Sequence, residues 1–409
     1  MLVISKENII EYLKKHMPEF DTSVPVRISQ IGEGTQEEDG DGYVNYIFRI
    51  QSEKEAYVLK QGLPLGRTGQ NPMALYRNKL EYDSMRIRYA IVPEYIPFLK
   101  FMDEENCIFV MEDVSYLKIA RFQFNKNVMF SNFGRHCGEC FAKTEFYTSE
   151  YFLSREEYRK LQAKFENTPM RRIMEDGLFC DLFDTGIDPS LGKNFADFAA
   201  QICNDNRYVT ELFKLRRSFM SHADALIHGD LHTSNIFASE EEMKVIDMEF
   251  SFIGPFGYDL GYLTGNLLSQ YCAACFKPFA SESDRREFKA YLLATVKSLF
   301  RTYFQTFTQC WNQDVKKRYQ GQDGLRRSIL DEVMLEASGY ASAVNWFRCA
   351  GNIEYPDFDV IENKEDKRHA KTLSLLMDWQ IMFQRYQYRT VDDLIDTVLF
   401  VEKSYFKML

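Results

Sequence analysis

Residues 227–237 read Ile-His-Gly-Asp-Leu-His-Thr-Ser-Asn-Ile-Phe, and residues 245–249 read Val-Ile-Asp-Met-Glu. The first block offers Asp230 to meet an attacking hydroxyl, with the amide of Asn235 five positions on. The second offers Asp247 and Glu249, two carboxylates after an apolar run. Phosphoryl transfer needs this inventory, because its loose transition state leaves a protein mainly to position groups and offset charge. On this reading Asp230 orients the acceptor hydroxyl and takes its proton. Asn235 and Asp247 hold Mg²⁺, and Glu249 is a further ligand. A lone His-x-Asp is usually only a polar loop; two blocks in this order and spacing argue for a site.

Outward from these blocks, residues 225–228, 236–238 and 243–246 have strand character, which puts the site residues on loops held by short strands. Helical spacing runs over residues 130–149, 156–165, 194–222, 258–276, 284–312, 326–351, 366–385 and 391–403. The first third differs. Residues 26–31, 43–51, 57–61 and 107–111 read as strands, with a helix over 73–89 and an amphipathic helix at the N-terminus. The expected fold is therefore α+β: a small β-rich lobe, residues 1–113, joined near Glu112 to a large, mainly helical lobe, residues 114–409.

Nucleotide chemistry needs a cation on a strand of the small lobe, and Tyr57-Val58-Leu59-Lys60 supplies one. Lys60 would meet ATP phosphates and be held by a carboxylate of the following helix, Glu81. A glycine turn should precede it, and Gly32-Glu33-Gly34 and Gly40-Asp41-Gly42 both occur. Glycine allows close backbone approach and offers amide donors to phosphate. Residues 32–42 also carry Glu33, Glu37, Glu38, Asp39 and Asp41, which would repel a triphosphate. The contacting turn is therefore expected at 40–45, with Gly40 and Gly42, and the acidic stretch before it as an exposed excursion. Residues 110–114, Val-Met-Glu-Asp-Val, fit an adenine hinge in which the Glu112 carbonyl and Val114 amide flank Asp113.

Composition narrows the partners. The chain has 409 residues, 45% hydrophobic and 27% charged, with a formal charge of −10. Size and apolar content allow a large core, and the acidic balance without a basic stripe argues against nucleic-acid binding. No stretch reads as a membrane span or signal peptide. Nine cysteines then read as free thiols of a cytoplasmic protein. The pairs Cys137/Cys140 and Cys272/Cys275 sit in helix-like stretches, where this spacing merely puts two thiols on one face. The histidines at 16, 136, 222 and 369 are scattered.

These residues together resemble the 5-methylthioribose kinase family, within the protein-kinase-like fold shared by aminoglycoside and choline kinases. The resemblance runs nearly end to end, and is best over residues 110–121, 142–151 and 226–259. Asp247-Met248-Glu249 is similar to that family's Asp-x-Glu, where protein kinases have Asp-Phe-Gly. The resemblance implies an ATP- and Mg²⁺-dependent enzyme of methionine salvage that phosphorylates the anomeric hydroxyl of a small sugar, acting as a homodimer. It also implies a nucleotide-contacting Asn45, and substrate contacts from Asp230 and from a late-helix arginine, Arg348. Three departures stand out: residues 32–42 look inserted, the catalytic loop ends Ser234-Asn235 where the family has Gly-Ser, and Phe347-Arg348 replaces twin arginines. That last change makes another hydroxylated acceptor (a deoxy- or thio-sugar, an amino alcohol, an aminoglycoside) the alternative. A non-catalytic nucleotide-binding module is disfavoured, because Lys60, Asp230 and Asp247 are all present.

Overall fold

Five short runs rich in apolar and aromatic residues pair into an antiparallel sheet: β1 (Arg27–Gln30), β2 (Tyr46–Gln51), β3 (Ala56–Gln61), β4 (Leu99–Asp103) and β5 (Ile108–Glu112), in the order β1-β2-β3-β5-β4. The computed structural model describes residues 1–32, 45–66, 72–180, 187, 190, 192–351 and 356–409. By its contacts the chain divides into two units, Met1–Phe122 with Ser234–Ser251, and Gln123–Thr233 with Phe252–Leu409. The boundary expected after Asp113 falls inside the first unit, to which residues 234–251 also belong.

Alternation along the strands decides what each sheet face carries. Phe48, Ile50, Leu59, Ile108 and Val110 pack with Ile9, Tyr12 and Leu13 in one apolar cluster. Ile47, Arg49, Val58 and Lys60, the intervening residues, line a pocket instead. A one-residue slip of β3 would exchange Lys60 with Leu59 and bury an ammonium in the apolar cluster, so the register is strongly specified. The N-terminal helix is confined to Ile9–His16, because residues before it are tied into loops: the Ile4 amide donates to Gln61 Oε1 (2.9 Å) and Asn8 Nδ2 to the Val3 carbonyl (2.9 Å). Strand β4, half-buried along its whole length, had no apolar alternation to announce it. A second, three-stranded sheet joins Lys118–Ile119, Ile236–Ala238 and Met243–Val245, and the Val245 amide fastens it to the Tyr95 carbonyl at 2.8 Å.

The second unit is mainly helical and centres on Gly257–Ala274, every residue of which is buried. Its glycines at 257, 261 and 265 recur every four residues and so share one face, which lies against Asp323–Ala350. The expected helix over 194–222 is two helices, Lys193–Cys203 and Asn206–Ser221. Asp205 breaks it, because its side chain accepts from the Arg207 amide and caps the second helix.

Two outcomes follow from this packing. A Cβ at Gly261 would lie 2.5 Å from the Ala337 carbonyl oxygen and 2.7 Å from Tyr340 Cβ. Gly261→Ala is therefore expected to destabilise by about 1–3 kcal/mol through overpacking, outweighing the ~1 kcal/mol that alanine gains in helix propensity; a urea denaturation midpoint reads it. His222 Nδ1 lies 3.2 Å from Glu336 Oε1, a contact that raises the imidazole to about 9 against the opposing effect of burial. A raised histidine stabilises fully below its unfolded value of about 6.5 and loses that contribution as pH climbs through the folded value. Thermal melts of wild type and His222→Gln should accordingly differ most near pH 6 and converge above the folded value of about 9.

Candidate active site

The first unit brings Lys60, Glu81, Asp247 and Glu249 together. Lys60 ends the apolar run of β3 and is buried; its Nζ lies 2.8 Å from Glu81 Oε1 and 2.5 Å from Asp247 Oδ1. Glu81 comes from the Tyr76–Ile91 helix, the one expected over 73–89. Asp247 follows the strand Met243–Val245 in the left-handed region, φ 65°, a conformation aspartate tolerates better than most residues. Oxygens of Glu81, Asp247 and Glu249 all lie within 4.8 Å of one another. Burial alone would lower Lys60, but Asp247 and Glu81, helped by Glu249, hold it above its ordinary value, so the ammonium stays charged. Burial likewise pushes the Glu81 and Glu249 carboxyls up, and Lys60 opposes that shift.

This donor set suits a hard divalent cation, which takes carboxylate oxygens and keeps several waters. Asp247, 29% exposed, opens to solvent, whereas Glu81 and Glu249 are 1% and 3% exposed. Lys60 contacts Glu81 and Asp247 alike, so exposure rather than pairing separates the three: Asp247 is the carboxylate open enough to reach an ion. Asn235 stands on the short turn Thr233–Asn235 and lines the same pocket as Lys60 and Asp247. Its carbonyl accepts from the Ile246 amide at 3.0 Å, tying the end of the first sequence block to the second.

Ile47, Val58, Met111, Val114, Ile119, Phe237 and Ile246 supply that pocket's apolar lining, suited to a flat heteroaromatic ring. At the hinge, side chains are spent on structure. The Glu112 carboxylate accepts from the Phe98 amide (3.0 Å) and lies 3.7 Å from Lys244 Nζ. Asp113 accepts from the Ser115 amide (2.9 Å) and pairs with Arg49 (3.3 Å). A hinge role for residues 112–114 thus rests on their backbone. Gly40 and Gly42 lie outside the described residues. Asn45, which the resemblance assigned to the nucleotide, uses both ends of its amide within the protein: Nδ2 donates to Glu249 Oε2 at 3.0 Å and Oδ1 accepts from Arg77 at 2.9 Å. Arg77, absent from the sequence reading, is fully buried.

The second unit builds the loop that carries Asp230. Gly229 takes φ 89°, a turn that favours glycine, and the His228 and Gly229 amides donate to the two oxygens of Asp259 at 2.5 and 3.0 Å. Asn266 Oδ1 accepts from the Thr233 amide (3.2 Å) and hydroxyl (3.3 Å). Between them, Tyr262 Oη donates to Asp230 Oδ1 at 2.8 Å and accepts from Arg348 Nη2 at 3.1 Å. His232 Nε2 lies 3.6 Å from Asp230 Oδ2. Asp259, Tyr262 and Asn266 recur at i, i+3 and i+7 on one face of this buried helix. That spacing was legible, and the sequence reading passed over it. Arg348 reaches Asp230 through Tyr262, while Phe347 is buried, its ring 5.4 Å from the Arg348 guanidinium.

The cysteine pairs contribute nothing here. Among the described residues no cysteine is in a disulfide, and neither cluster able to hold an ion contains cysteine. The other such cluster, His222 with Glu332 and Glu336, includes the His222–Glu336 ion pair described above. No helix among the described residues is long and apolar enough to cross a membrane.

A buried strand lysine bridged to a helix carboxylate and to an Asp-x-Glu, with a loop aspartate fixed from the adjoining helix, defines a phosphotransferase of the protein-kinase-like class that acts on a hydroxyl. Residues 157–292 match the family model described as "Phosphotransferase enzyme family". Methylthioribose kinase of Geobacillus sp. (strain WCH70) is 34% identical over 370 residues, 89% of this chain and 90% of the relative. That of Geobacillus thermodenitrificans is 34% identical over 379 residues, 91% and 93% of the two chains. The chain belongs to the methylthioribose kinase family. Among solved structures, choline kinase from Cryptosporidium parvum Iowa II is similar at a TM-score of 0.46 and 14% identity, covering 98% of this chain and 100% of its own; a likeness at that level says nothing of substrate.

Proposed function

We propose that the protein transfers the γ-phosphoryl group of ATP to the anomeric hydroxyl of 5-methylthioribose, as a cytoplasmic homodimer of methionine salvage. One observation carries the chemistry: Lys60 touches both its helix carboxylate and Asp247, so the cation proposed to meet phosphate and the more open of the two proposed metal carboxylates share one pocket. The choice of acceptor rests on the name the relatives share.

In this reading adenine occupies the apolar lining near Met111 and Val114, and the backbone of 112–114 pairs with its edge. Lys60 meets phosphate oxygens. Asp247 and Glu249, with Asn235, would hold Mg²⁺, whose charge would offset that of the departing ADP. Asp230 accepts a hydrogen bond from the acceptor hydroxyl and takes its proton as the oxygen–phosphorus bond forms; the bond to ADP breaks and the proton leaves to solvent. An anomeric hydroxyl is more acidic than an ordinary alcohol, so orientation is the larger part of the task. Tyr262 supports that task by donating to Asp230 Oδ1, which fixes the orientation of the carboxylate. Arg348, hydrogen-bonded to Tyr262, is the residue from which a substrate contact is proposed.

A coupled ADP-release assay against methylthioribose, ribose, deoxyribose and an amino alcohol, with phosphorus NMR of the product, tests this. The expected result is highest kcat/KM on methylthioribose with phosphate on the anomeric carbon. Preference for an amino alcohol, or phosphate elsewhere on the ring, would overturn the acceptor assignment. Light scattering of the purified chain reads the dimer.

A further inference from the structure

The Tyr76–Ile91 helix carries a buried polar stripe at helical spacing: Arg77, Glu81, Ser84 and Arg88. Glu81 holds Lys60, Ser84 Oγ donates to Ser251 Oγ at 2.8 Å, and Arg88 hydrogen-bonds Ser84. Arg77 makes the longest connections. Its Nε lies 3.2 Å from Glu249 Oε2, its Nη2 donates to Asn45 Oδ1 at 2.9 Å, and its Nη1 donates to the Leu63 and Ala74 carbonyls at 3.3 and 3.0 Å. Asn45 Nδ2 donates to the same Glu249 oxygen at 3.0 Å, so two donors pin one carboxylate oxygen.

We infer that Arg77 is a positioning residue for the metal site: it fixes the orientation of Glu249 and adds its charge to that of Lys60, so that this carboxylate sits buried beside two others. The inference rests on the metal reading of Asp247 and Glu249 above. Three carboxylates lie within 4.8 Å of one another, and Lys60 makes its ion pairs with Glu81 and Asp247. Glu249, 3% exposed, pairs with Arg77 and also feels the Lys60 charge. A buried carboxylate that loses its paired guanidinium is costly to keep in place and would turn away from its neighbours or draw the lysine off them. The guanidinium also does what an ammonium cannot: its planar fork spans Glu249 and Asn45 at once, and so ties the chain just ahead of β2 to the metal loop. Residues that orient a metal ligand set affinity without touching the ion.

Mn²⁺ binding to the full chain in the presence of ADP, followed by electron paramagnetic resonance, tests the inference in a double-mutant cycle. Arg77→Met and Glu249→Ala should each weaken Mn²⁺ binding by about 10–100-fold, the range for an orienting partner, and the double variant should bind no worse than Glu249→Ala alone. Arg77→Lys, the variant to use if Arg77→Met fails to fold, keeps the charge but loses the fork and should bind Mn²⁺ about tenfold more weakly. Wild-type Mn²⁺ affinity in a folded Arg77 variant of lowered melting temperature, or additive losses in the double, would overturn the positioning role. Unchanged affinity in Glu249→Ala would instead overturn the metal assignment beneath it.

Discussion

Asp230→Asn is expected to lower turnover by about a hundredfold or more, the scale of a lost acid–base group, while ADP affinity stays unchanged. The argument begins with what the substitution preserves. The carboxamide oxygen can still accept from Tyr262, now 2.8 Å from Oδ1, so the loop keeps its shape. The supports from Asp259 and Asn266 reach residues 228, 229 and 233 and do not touch this side chain. What is lost is the proton acceptor and the negative charge that aims the hydroxyl oxygen at phosphorus. Replacing an acceptor oxygen with an NH₂ also points a donor at the substrate's own donor, which misorients it. A loss confined to kcat, with calorimetric ADP binding as in wild type, is the expected pattern. Near-normal turnover would remove Asp230 from the mechanism.

Asp247→Asn should instead strike nucleotide binding, weakening Mg²⁺–ATP by tenfold or more. Asparagine is the right probe because residue 247 sits at φ 65°, where alanine would add backbone strain unrelated to the metal. The side chain keeps its size and loses only its charge. Lys60 then keeps Glu81 as its contact and should still meet phosphate. The signature is a metal-specific defect: calorimetry with ATP and Mg²⁺ shows the loss, whereas ATP with chelator binds as tightly to the variant as to wild type. Equal Mg²⁺–ATP affinity in both proteins would count against Asp247 as a ligand.

Much of this was legible in the chain because it depends on local geometry. Lys60 at the end of an apolar strand and Glu81 on the next helix are 21 residues apart, and two adjoining elements suffice to bring them to 2.8 Å. The paired blocks around Asp230 and Asp247 fall on loops between short strands, as strand propensity indicated. Local signals failed where tertiary contacts overrode them. Residues 194–222 have continuous helical spacing, yet Asp205 caps a second helix within them. Strand β4 pairs at a sheet edge with half-buried residues, where period-two patterning is weakest.

The sequence by itself determined which chemical groups are available and in what order: the strand lysine, the loop aspartate, the Asp-x-Glu, and the apolar periods that set them on strands, helices and turns. Only the tertiary structure decided which groups hold these in place. Arg77 meets Glu249 across 172 positions, and Tyr262 meets Asp230 across 32. Period and spacing report on neighbours a few residues apart. A hydrogen bond between distant segments depends on the packing that brings them together, so no local pattern announces it.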